Sequence, residues 1–318
     1  MVTIKETHMD FTRRDFGKLT LAALSAGRAL AKPHSTFGGV EIGIIISPTN
    51  FKDIPLGADE VLNNLVELGI EGVEMQDVRV ESYAGAPAAA RASYQGAPGA
   101  PARSPATIEE IKQWRLAASM DKYKGLHKLY RDAGVNIYAF RLATLTNATT
   151  DEELAYFFNT AETLGANQIT VELPKDADLT QRVGDYAAKR KIRMGYHNHT
   201  QVNFDSWDTA LAQSPYNGIN FDVGHFAAAV SQSPIPFIQK HHDRITCLHL
   251  KDRKYKTNGG QNTVWGQGDT PLKEILVLMK KEKYRFPAGI ELEYKIPEGS
   301  TTMAEIAKCL AFCKDTLA

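Results

Sequence analysis

Short apolar runs alternate along the chain with longer stretches in which apolar residues recur every three to four positions. Eight of the short runs have the length and the β-branched or aromatic content of strands: Glu41–Ser47, Gly72–Gln76, Asn136–Arg141, Gln168–Leu173, Ile192–His197, Gly218–Val223, Ile245–Lys251 and Ala288–Glu293. The longer stretches read as helices. Ala58–Leu68 carries Val61, Leu62, Leu65 and Val66, and Glu152–Leu164 carries Leu154, Tyr156, Phe157, Phe158 and Leu164. Several of them close on a glycine, such as Gly69, Gly134 or Gly165. Helix, glycine and strand in repetition call for a parallel sheet, and eight such units favour closure into a (β/α)8 barrel over an open sheet.

Two stretches interrupt this rhythm. Ser82–Pro105, rich in Ala, Gly, Pro and Ser, follows the second strand and is expected to be a partly ordered cover over the barrel mouth. Arg253–Asp269 follows the seventh strand; its glycines permit closure over a ligand, and Trp265 offers a flat apolar face to a sugar ring. Asp269-Thr270-Pro271 then reads as the start of the next helix.

The chemistry gathers at the carboxyl ends of the strands. Tyr196-His197-Asn198-His199, Phe221-Asp222-Val223-Gly224-His225, Leu248-His249-Leu250-Lys251-Asp252 and Ile290-Glu291-Leu292-Glu293 each follow apolar sequence and end in groups that bind divalent metals or move protons. The steps of 25 residues from His197 to Asp222 and 27 from Asp222 to His249 each accommodate a strand, a helix and two loops. Residues two apart on a strand share a face, which pairs His197 with His199, His249 with Lys251, Glu291 with Glu293, and Glu172 with Thr170. Glu172, Asp222, His249 and Glu291 make a mixed oxygen and nitrogen ligand set suited to Mn²⁺, Mg²⁺, Co²⁺ or Zn²⁺, with His197 as the competing ligand to Glu172.

The segments "FDVGH", "LHLKD" and "GIELE" resemble the xylose-isomerase-like TIM barrels, which include sugar phosphate isomerases/epimerases, inosose dehydratase and the ketose 3-epimerases; the resemblance runs from about Glu41 to the C-terminus. It implies one divalent ion held by Asp222, His249, Glu291 and a carboxylate from a middle strand. Many members carry Glu-Asn-His where this chain has His197-Asn198-His199, so the fourth ligand is either Glu172, the favoured choice, or His197. The implied chemistry is proton abstraction beside a metal-bound carbonyl, ending in isomerisation, epimerisation or elimination. Glu172, His197, His199 and Glu291 are the candidate acid and base groups. His225, Lys251 and Trp265 are candidate substrate contacts, and Glu293 a carboxylate supporting a ligand.

Length, charge and the N-terminus narrow the class. A barrel takes about 250 residues, and the 318 residues, 43% of them hydrophobic, leave room for a leader. Thr12-Arg13-Arg14-Asp15-Phe16-Gly17-Lys18 followed by the small apolar run Leu19–Ala26 and Ala29-Leu30-Ala31 resembles a twin-arginine export signal. That divides the chain into a signal segment, 1–31, and a single barrel domain, 32–318, and predicts a periplasmic or secreted protein. The run is too short for a membrane anchor. With 37 residues of each charge sign, nothing favours nucleic acid as a partner; a small sugar substrate is expected, and a homo-oligomer is compatible. Cys247, Cys309 and Cys313 lack the spacing of a disulfide framework and are expected in the core. The alternatives to an isomerase, epimerase or lyase are a non-catalytic sugar-binding barrel and an abasic-site endonuclease-like hydrolase; the latter needs a metal cluster and a basic surface that the neutral charge balance disfavours.

Overall fold

The computed structural model describes residues 32–46, 57–88 and 104–318. The expected signal segment and most of the expected cover after the second strand lie outside the described residues. The chain opens with a two-residue strand, β1 (Thr36–Phe37), antiparallel to β2. Eight parallel strands then follow in sequence order: β2 (Val40–Ile46), β3 (Gly72–Gln76), β4 (Asn136–Arg141), β5 (Gln168–Glu172), β6 (Arg193–His197), β7 (Asn217–Asp222), β8 (Ile245–Leu250) and β9 (Ala288–Ile290). Pairing of β9 back onto β2 closes the barrel. The expected (β/α)8 architecture is therefore present, with strand limits within a few residues of those read from the pattern.

Helices cover the outside because their apolar stripes have no other surface to bury. In α1 (Ala58–Leu68) the buried residues are Ala58, Val61, Leu62 and Leu65, and Gly69 ends it in the left-handed conformation with φ 73°. Of the segment expected as a cover only the two ends are described: its first residues complete α2 (Asp77–Ala84), and α3 (Pro105–Ala117), capped by Ser104, starts at its other end. These two are tied together where little area is available for burial: Arg115 on α3 donates to both carboxylate oxygens of the buried Glu81 on α2, at 2.7 and 3.1 Å. Next come α4 (Asp121–Ala133), α5 (Asp151–Leu164) and α6 (Ala177–Arg190). Thr150 and Glu153 form a reciprocal capping box at the start of α5.

The short α7 (Asp208–Gln213), α8 (Val223–Val230) and α9 (Ile235–His241) precede α10 (Leu272–Glu282) and α11 (Thr302–Leu317). Cys309 and Cys313 are buried on α11, and Cys247 is buried on β8. Among the described residues no helix is long and apolar enough to cross a membrane. The barrel interior is more polar than branched apolar filling would make it: Glu74, Thr170, Asn220 and His249, from four different strands, meet there. The apolar residues on alternate strand positions face the helices instead.

Candidate metal centre

Strand register sets the site. His197 is paired with Glu172 and with Asn220, and Asp222 with His249, so the ionisable groups reach the same end of the barrel from β5 to β8. Beyond the last hydrogen-bonded pair of β9, Glu291 continues the chain, its amide held by the Leu250 carbonyl. One ligand atom each from His197, Asp222, His249 and Glu291 lie within 4.8 Å of one another, and all four side chains are buried. The four that converge thus include His197 in the position for which the sequence favoured Glu172. Glu172 sits one strand away, its carboxylate drawn to Arg141 (2.6 Å) and to His199 Nδ1 (3.0 Å). A second grouping of Glu172, His197 and His199 shares the His197 ring.

Asp222 shows how local sequence positions a candidate ligand. It caps α8, one carboxylate oxygen accepting from the His225 amide at 2.6 Å, while Asn198 brackets its backbone from both sides at 3.0 and 3.1 Å. Gly224 allows this turn: a Cβ there would stand 2.4 Å from the Lys251 carbonyl oxygen. The other Asp222 oxygen is buried and makes no hydrogen bond, although Lys251 Nζ lies 2.9 Å away; the two are close enough to attract but not aligned for a bond. Lys251 is fully enclosed, 3.3 Å from Glu291 and 2.7 Å from Glu293, and it donates to His225 Nε2 at 2.8 Å. Arg253 meets the other nitrogen of His225.

Electrostatics follow from this enclosure. Burial pushes the Asp222 carboxyl up to about 6, Glu291 adding to the rise while Lys251 opposes it. For Glu291, burial would raise the pKa, but Lys251 and His249 outweigh it and hold the group well below the usual carboxylate range. His249 goes the other way: burial opposes its charge, yet Glu74 and Glu291 raise it well above an ordinary imidazole. His197 and His225 are both driven well below by burial, with Arg141 and Lys251 respectively adding to the effect. Five carboxylates, Glu74, Glu172, Asp222, Glu291 and Glu293, face the three permanent cations Arg141, Lys251 and Arg253. The buried Asp222 oxygen without a hydrogen bond and the mixed nitrogen and oxygen donor set both fit a divalent cation.

The remaining predicted residues fall as follows. His199 is about half exposed beside Glu172, its ring 5.1 Å from that of His197 and 4.6 Å from that of His225. Glu293 also faces the Asn262 amide at 3.4 Å, linking the site to the loop after β8. Trp265 is buried and meets Phe312 of α11 edge-on at 5.6 Å, a packing role in place of the open face expected of it. Its loop is organised by Asp252, which accepts from the amides of Gly266 (2.7 Å) and Gly268 (2.9 Å). Glu74 and Arg141 were missed from the sequence; the one available signal was a charged residue inside or at the end of an otherwise apolar strand.

A family model described as the xylose isomerase-like TIM barrel matches residues 62–313. No protein of curated function matches the chain by sequence. Among solved structures, a sugar phosphate isomerase/epimerase from Parabacteroides distasonis is 17% identical with a TM-score of 0.56, over 88% of this chain and 96% of its own. The 3-keto-D-glucoside 4-epimerase from E. coli is 11% identical at TM-score 0.57, over 87% and 99%. A probable 3-DHS dehydratase from Bacillus anthracis is 12% identical at TM-score 0.60, over 85% and 98%. At such identities the likeness is one of fold. Together with the family match over most of its length, the closed eight-stranded barrel makes this chain a member of the xylose isomerase-like TIM barrel family.

Proposed function

We propose that the protein is a metal-dependent sugar isomerase, epimerase or lyase that removes a proton from the carbon beside a carbonyl of a keto sugar or glycoside. The observation that carries this reading is the juxtaposition of four enclosed ligand side chains with a half-exposed carboxylate–imidazole pair at the same strand ends. A divalent ion held by His197, Asp222, His249 and Glu291 would supply Lewis acidity toward a carbonyl oxygen. Glu172 accepts from His199 Nδ1–H and so leaves Nε2 available to exchange a proton with substrate. Arg141 holds the other Glu172 oxygen, which fixes the pair's direction. His225 and Lys251, enclosed behind the candidate ligands, balance charge.

A free sugar suits this site better than a phosphorylated one. Arg141, Lys251 and Arg253 are engaged by carboxylates, by His225 or by the Gly260 carbonyl, and Lys254 faces Asp269. The E. coli neighbour, a 3-keto-D-glucoside 4-epimerase, is in keeping with an unphosphorylated keto-glycoside, whereas the Parabacteroides neighbour is named for sugar phosphates. The test is incubation of Mn²⁺- or Zn²⁺-loaded protein with a panel of keto sugars and keto-glycosides in deuterated water. Deuterium is expected at the carbon beside the carbonyl; product formed without it, where the base exchanges freely with solvent, would rule out proton abstraction.

A further inference from the structure

Beneath the four ligands lies a carboxylate that none of the proposed chemistry uses. Glu74, in the middle of β3, is fully buried, and every group around it can donate to it. The Thr170 hydroxyl lies at 2.6 Å, His249 Nε2 at 2.8 Å, the Asn220 amide nitrogen at 3.0 and 3.2 Å from its two oxygens, and the Cys247 thiol at 3.6 Å. Arg141 stands 3.7 Å away as a counter-charge. β3 and β8 are not neighbours in the sheet, so the contact with His249 crosses the barrel interior.

We propose that Glu74 is a positioning residue that sets the tautomers of both histidines of the metal site in opposite senses, so that His249 offers Nδ1 and His197 offers Nε2 to the ion. The proposal rests on the metal-site reading of His197, Asp222, His249 and Glu291. For His249 the link is direct: Nε2–H donates to Glu74, and Nδ1 faces the ligand group, 2.9 Å from Glu291. For His197 the link runs through Asn220. Because the Asn220 NH₂ must face the Glu74 carboxylate, the amide cannot flip, and its oxygen is turned to His197 Nδ1 at 3.3 Å. An amide oxygen only accepts, so His197 carries its hydrogen on Nδ1 and keeps the Nε2 lone pair. One carboxylate on a strand that supplies no ligand thereby orients two ligands on β6 and β8.

The decisive measurement is the ring-nitrogen spectrum of protein labelled with ¹⁵N-histidine, metal-free and loaded with ¹¹³Cd²⁺. Wild-type protein is expected to show cadmium coupling to Nδ1 of His249 and Nε2 of His197, and in the metal-free protein a hydrogen on Nδ1 of His197. Coupling through the opposite nitrogen of either ring overturns the proposal while leaving the metal site intact; a wild type that binds no cadmium removes the site and the proposal together. Glu74→Gln supplies a second readout. A Gln carries one acceptor oxygen and no charge where Glu74 offers two oxygens and a negative charge to His249, Asn220 and Thr170, so Zn²⁺ affinity in competition with a chelator should fall about 10- to 100-fold, and an unchanged affinity would count against the assignment. The wild-type spectra need no variant, so the outcome stands even if that substitution impairs folding.

Discussion

Removing His197 and removing His199 should have opposite signatures, although their rings lie only 5.1 Å apart. His197 is enclosed and converges with Asp222, His249 and Glu291, whereas His199 is about half exposed and converges on Glu172. His197→Ala is expected to lose the ion, as is Asp222→Ala. His199→Ala should keep the ion and slow turnover by about 10²- to 10⁴-fold, the usual contribution of a positioned acid or base. Elemental analysis beside initial rates separates them, and ion lost from the His199 variant would make that residue a ligand. The ambiguity over the fourth ligand has a geometric origin. Glu172 and His197 are register partners on adjacent strands, so sequence places both at the same height. What separates them is Arg141, which draws the Glu172 carboxylate aside, and that partner lies on yet another strand. Asp222, His249 and Glu291 were legible because each follows an apolar run. Glu74 was not, because its partners Thr170, Asn220 and His249 come together only when the barrel closes.

At the level of elements, the alternation of periods two and 3.6 was enough for the strand order and for closure, since a parallel strand, a crossover helix and a glycine stop repeat with little competing signal. It could not show that β9 ends at Ile290, or that the side chains of Glu291 and Glu293 just beyond it reach His249 and Lys251. Nor could it show that the segment after β3 starts as a helix, because α2 is stabilised by Arg115 from beyond the intervening stretch. Trp265 was read as a platform for the same reason, its packing partner Phe312 being on the last helix. The turn from β7 into α8 gives a prediction at this scale. Gly224 is required because the helix start abuts the backbone at the end of β8, where a Cβ would stand 2.4 Å from the Lys251 carbonyl oxygen and no side chain could move aside. Gly224→Ala should therefore cost about 1–3 kcal/mol of stability, as overpacking does, and displace Asp222 from the ligand group. Denaturant unfolding with metal titration is the check; unchanged stability and affinity would show that the two elements can separate without consequence.

For the whole molecule, the consequence of the closed barrel is that the proposed metal site cannot be assembled piecemeal. Asp222 and His249 are completely buried, and the four candidate ligand residues come from β6, β7, β8 and the segment after β9, so the proposed site is complete only once the last strand has paired with the first. A chain carried across a membrane unfolded would have to acquire its ion from whatever the destination compartment supplies; one carried folded can bring the ion with it. We propose that residues 1–31 act as a twin-arginine signal for this reason, the order of Arg13, Arg14, Phe16 and the following small apolar run being the observation behind it. Replacing Arg13 and Arg14 together by lysine preserves charge and hydropathy and should leave the full-length protein in the cytoplasm, folded and metal-bound. Fractionation with mass measurement of the N-terminus is the assay: the wild type is expected in the periplasm, starting after Ala31, and the double-lysine variant in the cytoplasm with the leader intact. Equal delivery of both to the periplasm would mean that the arginine pair is not read, and that residues 1–31 serve the protein in some other way.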